Sequence, residues 1–137
     1  MNFLHINKDN IHHLKYFLNN IGESSKQFRY YENRKPEKVI DNHMITFLAC
    51  DDDCVGYGHL DEENEKVWLG ICVKDVACGK GYGKLIMNKL VNSYDGEIWL
   101  SVDSTNKKAI KLYDSFSFNL VEQKNDVIYM KRNATSI

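Results

Sequence analysis

Apolar and polar residues alternate through the middle of the chain in short runs that predict a β-meander. Residues 43–50, 55–60 and 67–73 are apolar and rich in strand-forming side chains, and polar turns at 51–53 and 61–65 separate them. The run at 67–73 is apolar at successive positions, which is typical of a strand covered on both faces of a sheet. The pattern predicts three antiparallel strands, of which the last is buried.

Helical periodicity appears on either side of the meander, where apolar side chains recur three or four positions apart. A short strand at 3–6 precedes a helix over 11–21, the segment 24–31 fits either a loop or a short helix, and a helical turn is expected at 37–42. After the meander, the pattern predicts a helix, a strand, a helix and two strands, at 85–91, 97–102, 106–115, 116–121 and 127–130. This order indicates a mixed α/β sheet.

Length and charge narrow the class of protein. A chain of 137 residues suits one domain, which we assign to 1–131, with 132–137 as a tail or the start of a linker. The chain has 18 basic and 19 acidic side chains, which gives a net charge of −1. It therefore lacks the excess of positive charge that nucleic-acid binding requires. No apolar run approaches the length that spans a bilayer, about 20 residues, and no signal peptide is recognisable. We therefore expect a cytoplasmic protein whose partners include neither nucleic acid nor membrane.

The four cysteines are Cys50, Cys54, Cys72 and Cys78, and they form neither a CxxC pair nor a zinc-finger spacing. We expect reduced thiols and no metal site, although Cys50 and Cys54 flank a hairpin turn. The acidic turns lack the spacing of a calcium loop, so we interpret them as solvated hairpin turns.

A glycine-rich segment follows the buried strand and carries the clearest chemical signal. Residues 79–84 read Gly-Lys-Gly-Tyr-Gly-Lys and lead into a helix. Glycine lets the backbone approach a ligand closely, and the first turn of a helix offers N–H groups and a dipole that favour an anion. Lys80 and Lys84 add positive charge. The segment predicts a pyrophosphate site, and a turn without a ligand is the alternative.

The spacing of these glycines excludes two common phosphate loops. A nucleoside triphosphate loop needs GxxxxGK[ST], and a dinucleotide loop needs GxGxxG near the start of a βαβ unit. Gly79, Gly81 and Gly83 instead give GxGxG in the middle of the chain.

Two motifs in a fixed order resemble the GNAT superfamily of acetyl-CoA-dependent N-acetyltransferases. The first is residues 78–83, Cys-Gly-Lys-Gly-Tyr-Gly, against the family's [QR]-x-x-G-x-[GA]. The second begins at Asn106, reaches Tyr113 as N-x-x-A-x-x-x-Y and continues into an aromatic turn. The chain departs from the family at Cys78, where Arg or Gln is usual, and at Ser117, where Gly is usual. The resemblance covers about residues 43–131 and implies acetyl-CoA as cosubstrate.

The resemblance also implies a fold and a set of roles. The fold would be α/β, with a mixed, largely antiparallel sheet, a splayed central strand pair and flanking helices. Tyr113 would protonate the departing thiolate, although a core aromatic residue is the alternative for it. The cofactor would contact the splayed strand, the glycine loop and one asparagine, namely Ile71, Cys72, Val73, Cys78, Gly79, Lys80, Gly81, Tyr82, Gly83, Lys84 and Asn106.

A base that takes the amine proton is harder to choose. His59 is the first candidate, because counting across 61–65 puts it opposite Trp68 on a central strand, and its ordinary pKa of about 6.5 suits a base. A structural histidine is an equal alternative. His43, counted to lie opposite Asp61, and Asp103 are further candidates, as is a water chain without a single base.

The acceptor is suggested by residues 28–35, which combine aromatic side chains with three positive charges. Arg29, Tyr30 and His43 are the candidate substrate residues. Arginine suits phosphate and tyrosine suits a sugar or base, which favours a nucleotide-linked amino sugar as the small-molecule acceptor. The alternatives are a solvated basic helix, a protein amine or cationic acceptor drawn by the acidic turns, and a CoA-binding module without catalysis. A homodimer and fusion to a second domain both stay open.

Overall fold

The computed structural model describes residues 1–23, 28–74 and 77–135. Their strands form one seven-stranded sheet in the order β1-β2-β3-β4-β5-β7-β6. The strands are β1 (Asn2–His5), β2 (His43–Cys50), β3 (Cys54–Glu63), β4 (Lys66–Val73), β5 (Ile98–Asp103), β6 (Asn119–Lys124) and β7 (Val127–Arg132). The helices are α1 (Ile11–Leu18), α2 (Pro36–Val39), α3 (Tyr82–Val91) and α4 (Lys107–Ser115), with 3-10 turns at Lys8–Asn10 and Ile40–Asn42. The predicted mixed α/β sheet and its meander are confirmed, while residues 24–27 of the ambiguous segment lie outside the described part.

The centre of the sheet is where its pairing changes. Neighbouring strands are antiparallel except β4 and β5, which run parallel. Only two residue pairs join them, Val67 with Ile98 and Trp68 with Trp99. Beyond Trp68 the two strands separate and leave an opening in the sheet. The splayed central pair is therefore confirmed.

The two faces of the sheet carry separate hydrophobic cores. Helices α3 and α4 cover one face, over a core that includes Phe47, Ile86 and Tyr113. Helix α1 and the segment that starts at Phe28 cover the other face, over a core that includes Tyr57. The opening between β4 and β5 connects the two faces.

The hairpin between β3 and β4 is tighter than its acidic sequence suggests. Asn64 and Glu65 alone form the turn, with φ of 55° and 64°, the left-handed conformation that two-residue hairpins favour. Because β3 continues to Glu63, His59 pairs with Gly70, and the prediction that it lies opposite Trp68 is wrong by two residues. The predicted pairing of His43 with Asp61 is confirmed.

The hairpin between β2 and β3 carries a disulfide bond between Cys50 and Cys54. The expectation of reduced thiols is wrong for this pair, because the two residues face each other at the end of the hairpin with their Cα atoms 3.9 Å apart. Among the described residues, no helix is long and apolar enough to cross a bilayer.

Two residues of the predicted tail at 132–137, Arg132 and Thr135, contact the rest of the domain. Arg132 lies within β7. Thr135 donates hydrogen bonds from its backbone N–H and its hydroxyl to the carbonyl of Asp95, at 2.9 and 3.2 Å. Residues 136–137 lie outside the described part.

Candidate active site

A cavity of about 1160 Å³ occupies the opening between β4 and β5 and reaches both faces of the sheet. On the side of α3 and α4 its wall includes the glycine loop, Asn106 and Tyr113, and on the other side it includes Arg29, Tyr30 and His59. Many of the residues chosen from the sequence therefore meet in one place, although they are distant along the chain.

The glycine loop has the conformation of an anion site. Gly79 and Gly81 have φ of 81° and 86°, and a Cβ atom added at either would meet no atom of the described residues within 4 Å. Glycine is needed there for the left-handed backbone, and the space beside it is open to a ligand. Gly81 is the N-cap of α3, so the loop ends there and Tyr82 begins the first helical turn.

Backbone groups dominate this cradle. Lys80 and Lys84 are exposed and lie outside the set of described residues that line the cavity, whereas Cys78 lines it. The Cys78 thiol lies 3.3 Å from the carbonyl oxygen of Lys74, so it is directed towards the end of β4. The N–H groups at the start of α3 and the helix dipole are therefore better placed than these side chains to hold a pyrophosphate.

The end of the β2–β3 hairpin holds both flanks of the glycine loop. The Tyr82 hydroxyl donates to Asp51 at 2.7 Å, and this hydrogen bond lowers the pKa of Asp51. On the other flank, Lys74 pairs with Asp53 at 3.1 Å, and this hydrogen bond lowers the pKa of Asp53.

The splayed strand and α4 supply the wall between the loop and the centre of the cavity. Ile71, Cys72 and Val73 all line the cavity. Asn106 lines it too, and its side-chain oxygen accepts a hydrogen bond from the N–H of Ala109 at 3.3 Å. Asn106 is thus the N-cap of α4, which fixes the start of the helix that carries Tyr113.

Tyr113 is a buried phenol on the cavity wall. Its ring packs edge-on against Phe118 at 6.2 Å. Burial raises the pKa of Tyr113, with a further contribution from the nearby Cys72. The hydroxyl therefore keeps its proton at neutral pH.

His59 is completely enclosed, with 1% of its surface exposed, yet it lines the cavity. Its Nδ1 lies 2.6 Å from the Tyr57 hydroxyl, and a Cβ atom at Gly70 would lie 2.6 Å from its Nε2. The ring is thus held flat against the backbone of the splayed strand. Burial lowers the pKa of His59 well below 6.5, helped by His43 and Arg34. The imidazole is neutral at pH 7.

A cluster of polar side chains surrounds the ring of His59. The Tyr30 hydroxyl donates to Asp61 at 2.6 Å and contacts Nε2 of His43 at 2.9 Å. Burial lowers the pKa of His43, while the charge of Asp61 opposes that shift. His43 lies behind Tyr30, outside the described residues that line the cavity.

The two arginines of the candidate acceptor segment are already paired. Arg29 forms a salt bridge with Asp103 across the cavity, which occupies the carboxylate considered as a base. Arg34 lies over the Tyr30 ring at 4.3 Å and contacts Glu63 at 3.4 Å. This wall of the cavity therefore presents both signs of charge.

Three residues of the site were missed from the sequence: Tyr31, Tyr57 and Gly70. For Tyr57 the signal was available, because it shares a face of β3 with His59 at the two-residue period of a strand. The contact of Gly70 with His59 depended on the register, and Tyr31 lies in a segment without periodicity.

Comparison with known proteins agrees with this geometry. The sequence pattern of the acetyltransferase (GNAT) family matches residues 9–118. The chain belongs to this family. It is therefore an acetyl-CoA-dependent N-acetyltransferase, as the two motifs implied. A search of curated protein sequences finds no match.

Solved structures of this family share the fold at low sequence identity. A ribosomal-protein-S18-alanine N-acetyltransferase from Escherichia coli matches with a TM-score of 0.73 and 15% identity, over 99% of this chain and 95% of that one. A probable acetyltransferase from Staphylococcus epidermidis matches with a TM-score of 0.78 and 17% identity, over 98% and 99%. A phosphinothricin acetyltransferase from Sinorhizobium meliloti, solved in complex with acetyl-CoA, matches with a TM-score of 0.73 and 15% identity, over 97% and 88%.

Proposed function

We propose that this GNAT protein transfers acetyl from acetyl-CoA to a primary amine by direct attack, at the opening between β4 and β5. The observation that carries the proposal is the single cavity that joins the glycine loop and Tyr113 on one face of the sheet to His59 on the other. Acetyl-CoA would enter from the side of α3 and α4. The acceptor would enter from the side of Arg29 and Tyr30.

Two side chains would move protons in this reaction. A neutral amine attacks the thioester, so one proton must leave the nitrogen, and Nε2 of neutral His59 would take it. Tyr113 would give its proton to the sulfur as the thiolate departs. The raised pKa of Tyr113 and the lowered pKa of His59 leave both groups in the protonation states that these roles need.

The cofactor would be held by backbone rather than by charged side chains. The pyrophosphate would lie at the N–H groups that follow Gly79 and Gly81, with Lys80 and Lys84 contributing only long-range attraction. Ile71, Cys72, Val73 and Asn106 would contact the pantetheine arm.

A nucleotide-linked amino sugar is the first acceptor class to test. Its support is the presence of Arg29, Tyr30 and Arg34 on the cavity wall. A cationic small molecule or a protein amine is the second class. The pairing of Arg29 with Asp103 and of Arg34 with Glu63 favours it, because an anionic acceptor would have to displace a carboxylate from each arginine.

The test is the release of free thiol from acetyl-CoA in the presence of nucleotide-linked amino sugars, polyamines and lysine peptides. Acceleration by one class identifies the acceptor, and mass spectrometry of the product should show one added acetyl group on nitrogen. CoA binding without acceleration by any of these amines would support a binding module instead. Arg29→Gln separates the classes, because it should raise KM for a phosphorylated acceptor and leave KM for a cationic one unchanged or lower.

A further inference from the structure

Behind His59 a chain of hydroxyl groups leads away from the cavity. The Tyr57 hydroxyl lies 2.6 Å from Nδ1 of His59, and the Tyr31 hydroxyl lies 2.6 Å from that of Tyr57. Tyr57 has no exposed surface. These short contacts form a continuous hydrogen-bonded line through the core that α1 covers.

Tyr31, the residue at the far end of this line, also lines a different cavity. A second cavity, of about 640 Å³, is lined by Tyr31 and by residues of α1 and α2 such as Lys15 and Glu37. Among the described residues, neither Tyr31 nor Tyr57 lines the cavity between β4 and β5, whereas His59 does. The line therefore connects the two cavities through the protein.

From this geometry we propose that Tyr57 and Tyr31 relay the amine proton from His59 to water in the second cavity. The proposal rests on the N-acetyltransferase function proposed above. His59 would touch the acceptor, whereas the two tyrosines act through His59 and are positioning residues. The relay gives the proton a way out while cofactor and acceptor fill the first cavity.

Each step of the relay makes one bond and breaks one. As the N–H bond of the attacking amine breaks, Nε2–H forms on His59, and the Nδ1 proton passes to the Tyr57 oxygen. The proton of Tyr57 passes to the Tyr31 oxygen, and the proton of Tyr31 passes to water. After product leaves, Nε2 gives its proton to water in the first cavity. Protons then pass in the reverse direction, from water in the second cavity through Tyr31 and Tyr57 to Nδ1, which restores the first tautomer.

The surroundings of His59 favour such a relay over storage of the proton. Its ring is enclosed by Tyr30 at 4.4 Å and His43 at 4.5 Å, with Arg34 and Asp61 beyond Tyr30. Burial disfavours a charged imidazole, and the pKa of Tyr57 is raised well above 10, so neither group holds a charge for long. A concerted transfer leaves every member of the line neutral.

The tautomer of His59 tests the direction of the line without any turnover. If Nδ1 donates to Tyr57, nitrogen NMR of labelled histidine should show the Nδ1–H tautomer in the resting protein. Tyr57→Phe removes the acceptor, and we expect it to shift the population towards Nε2–H. An Nε2–H tautomer in the wild type would overturn the proposal, because Nε2 would then have no lone pair for the amine proton.

Kinetics test the relay itself, and Tyr31→Phe is the chosen variant because it keeps the ring and the contact between Tyr57 and His59. We expect kcat to fall about tenfold, which is less than the roughly 10²–10⁴-fold contribution of the base itself, with KM for acetyl-CoA unchanged. The dependence of kcat on the fraction of deuterium oxide should be curved in the wild type and linear in the variant. Tyr94→Phe, which removes a half-buried hydroxyl outside both cavities, is the control and should keep wild-type kcat.

The outcomes separate the relay from the function beneath it. A wild type that releases no thiol with any amine overturns the proposed function. An active wild type whose Tyr31→Phe variant keeps both its kcat and its curved isotope dependence overturns the relay alone. A variant with lower kcat but the wild-type isotope curve assigns Tyr31 a structural role and also overturns the relay.

Discussion

The state of single side chains in the site is set by how deeply the sheet buries them. Tyr113 and His59 both line one cavity, yet burial shifts the pKa of the tyrosine upwards and that of the histidine downwards. In each case burial disfavours the charged form, so one group stays a proton donor and the other a proton acceptor. Burial is therefore the largest cause of the neutral state in which each group would begin its proposed role.

Removal of the Tyr113 hydroxyl tests the first of these roles. Tyr113→Phe keeps the ring against Phe118 but removes the proton donor, so we expect kcat to fall about 100-fold or more. Affinity for CoA, measured by calorimetry, should stay within twofold. Tyr94→Phe serves as the control. A Tyr113→Phe variant with unchanged turnover would exclude this residue from the proton transfer.

Backbone conformation at a single residue also shapes the site. Ser117 lies in the turn after α4, directly before the buried Phe118, and has a φ of 70°. A left-handed conformation costs a non-glycine residue roughly 1–2 kcal/mol. The family's usual glycine is thus explained by the conformation that this position requires.

Ser117→Gly should therefore stabilise the protein. We expect the free energy of unfolding in urea to rise by about 0.5–1 kcal/mol, since relief of the strained backbone exceeds the extra entropy of glycine in the unfolded chain. Ser115→Gly, at the last residue of α4, is the matched control and should lower stability. Loss of stability in Ser117→Gly would contradict this account of the turn.

At the scale of elements, the packing of α3 against β3 positions the glycine loop. A Cβ atom added at Gly58 would lie 2.7 Å from Phe47, 2.9 Å from Ile86 and 3.1 Å from Leu90, all of which are fully buried. The helix can approach the sheet this closely only because β3 has no side chain there. The first turn of α3, with its N–H groups, is set by the same contact.

Gly58→Ala tests that dependence of the loop on the sheet. Overpacking should lower the free energy of unfolding by about 1–3 kcal/mol and weaken acetyl-CoA binding as α3 moves outward. Asn88→Ala is the control, because it changes an exposed side chain on α3 without adding volume to the core. Unchanged acetyl-CoA affinity in a destabilised Gly58→Ala protein would show that the loop position is independent of this packing.

For the whole molecule, one buried and one partly buried histidine couple stability to pH. Burial lowers the pKa of both His43 and His59 in the folded protein, while in the unfolded chain a histidine titrates near its ordinary value of about 6.5. As pH falls below that value, the unfolded chain gains protons that the folded protein does not. The free energy of unfolding must then decrease.

Urea unfolding at pH 7, 6 and 5 should show this decrease. Each histidine that stays neutral contributes a slope of up to about 1.4 kcal/mol per pH unit below pH 6.5. His43→Gln should reduce the slope, whereas His13→Gln, on the exposed side of α1, should leave it unchanged. A free energy of unfolding that does not change between pH 7 and pH 5 would mean that both imidazoles become charged in the folded state.

The sequence by itself determined most of the elements and the family to which the chain belongs. Alternating apolar runs predicted the meander, and the spacing of Gly79, Gly81, Asn106 and Tyr113 carried the resemblance to the family. These features could be predicted because each depends on residues close together in the chain. Glycines with positive φ and a helix N-cap leave a local signature in the sequence.

Only the tertiary structure decided how Arg29, His59 and their partners are arranged on the other side of the cavity. The register of His59 depended on whether Asp61–Glu63 belonged to the turn or to β3, and a shift of two residues changed its partner from Trp68 to Gly70. The salt bridge of Arg29 with Asp103 and the line from His59 to Tyr31 join residues from separate parts of the chain. Burial and charge neutralisation arise only when those parts pack together, so no local pattern announces them.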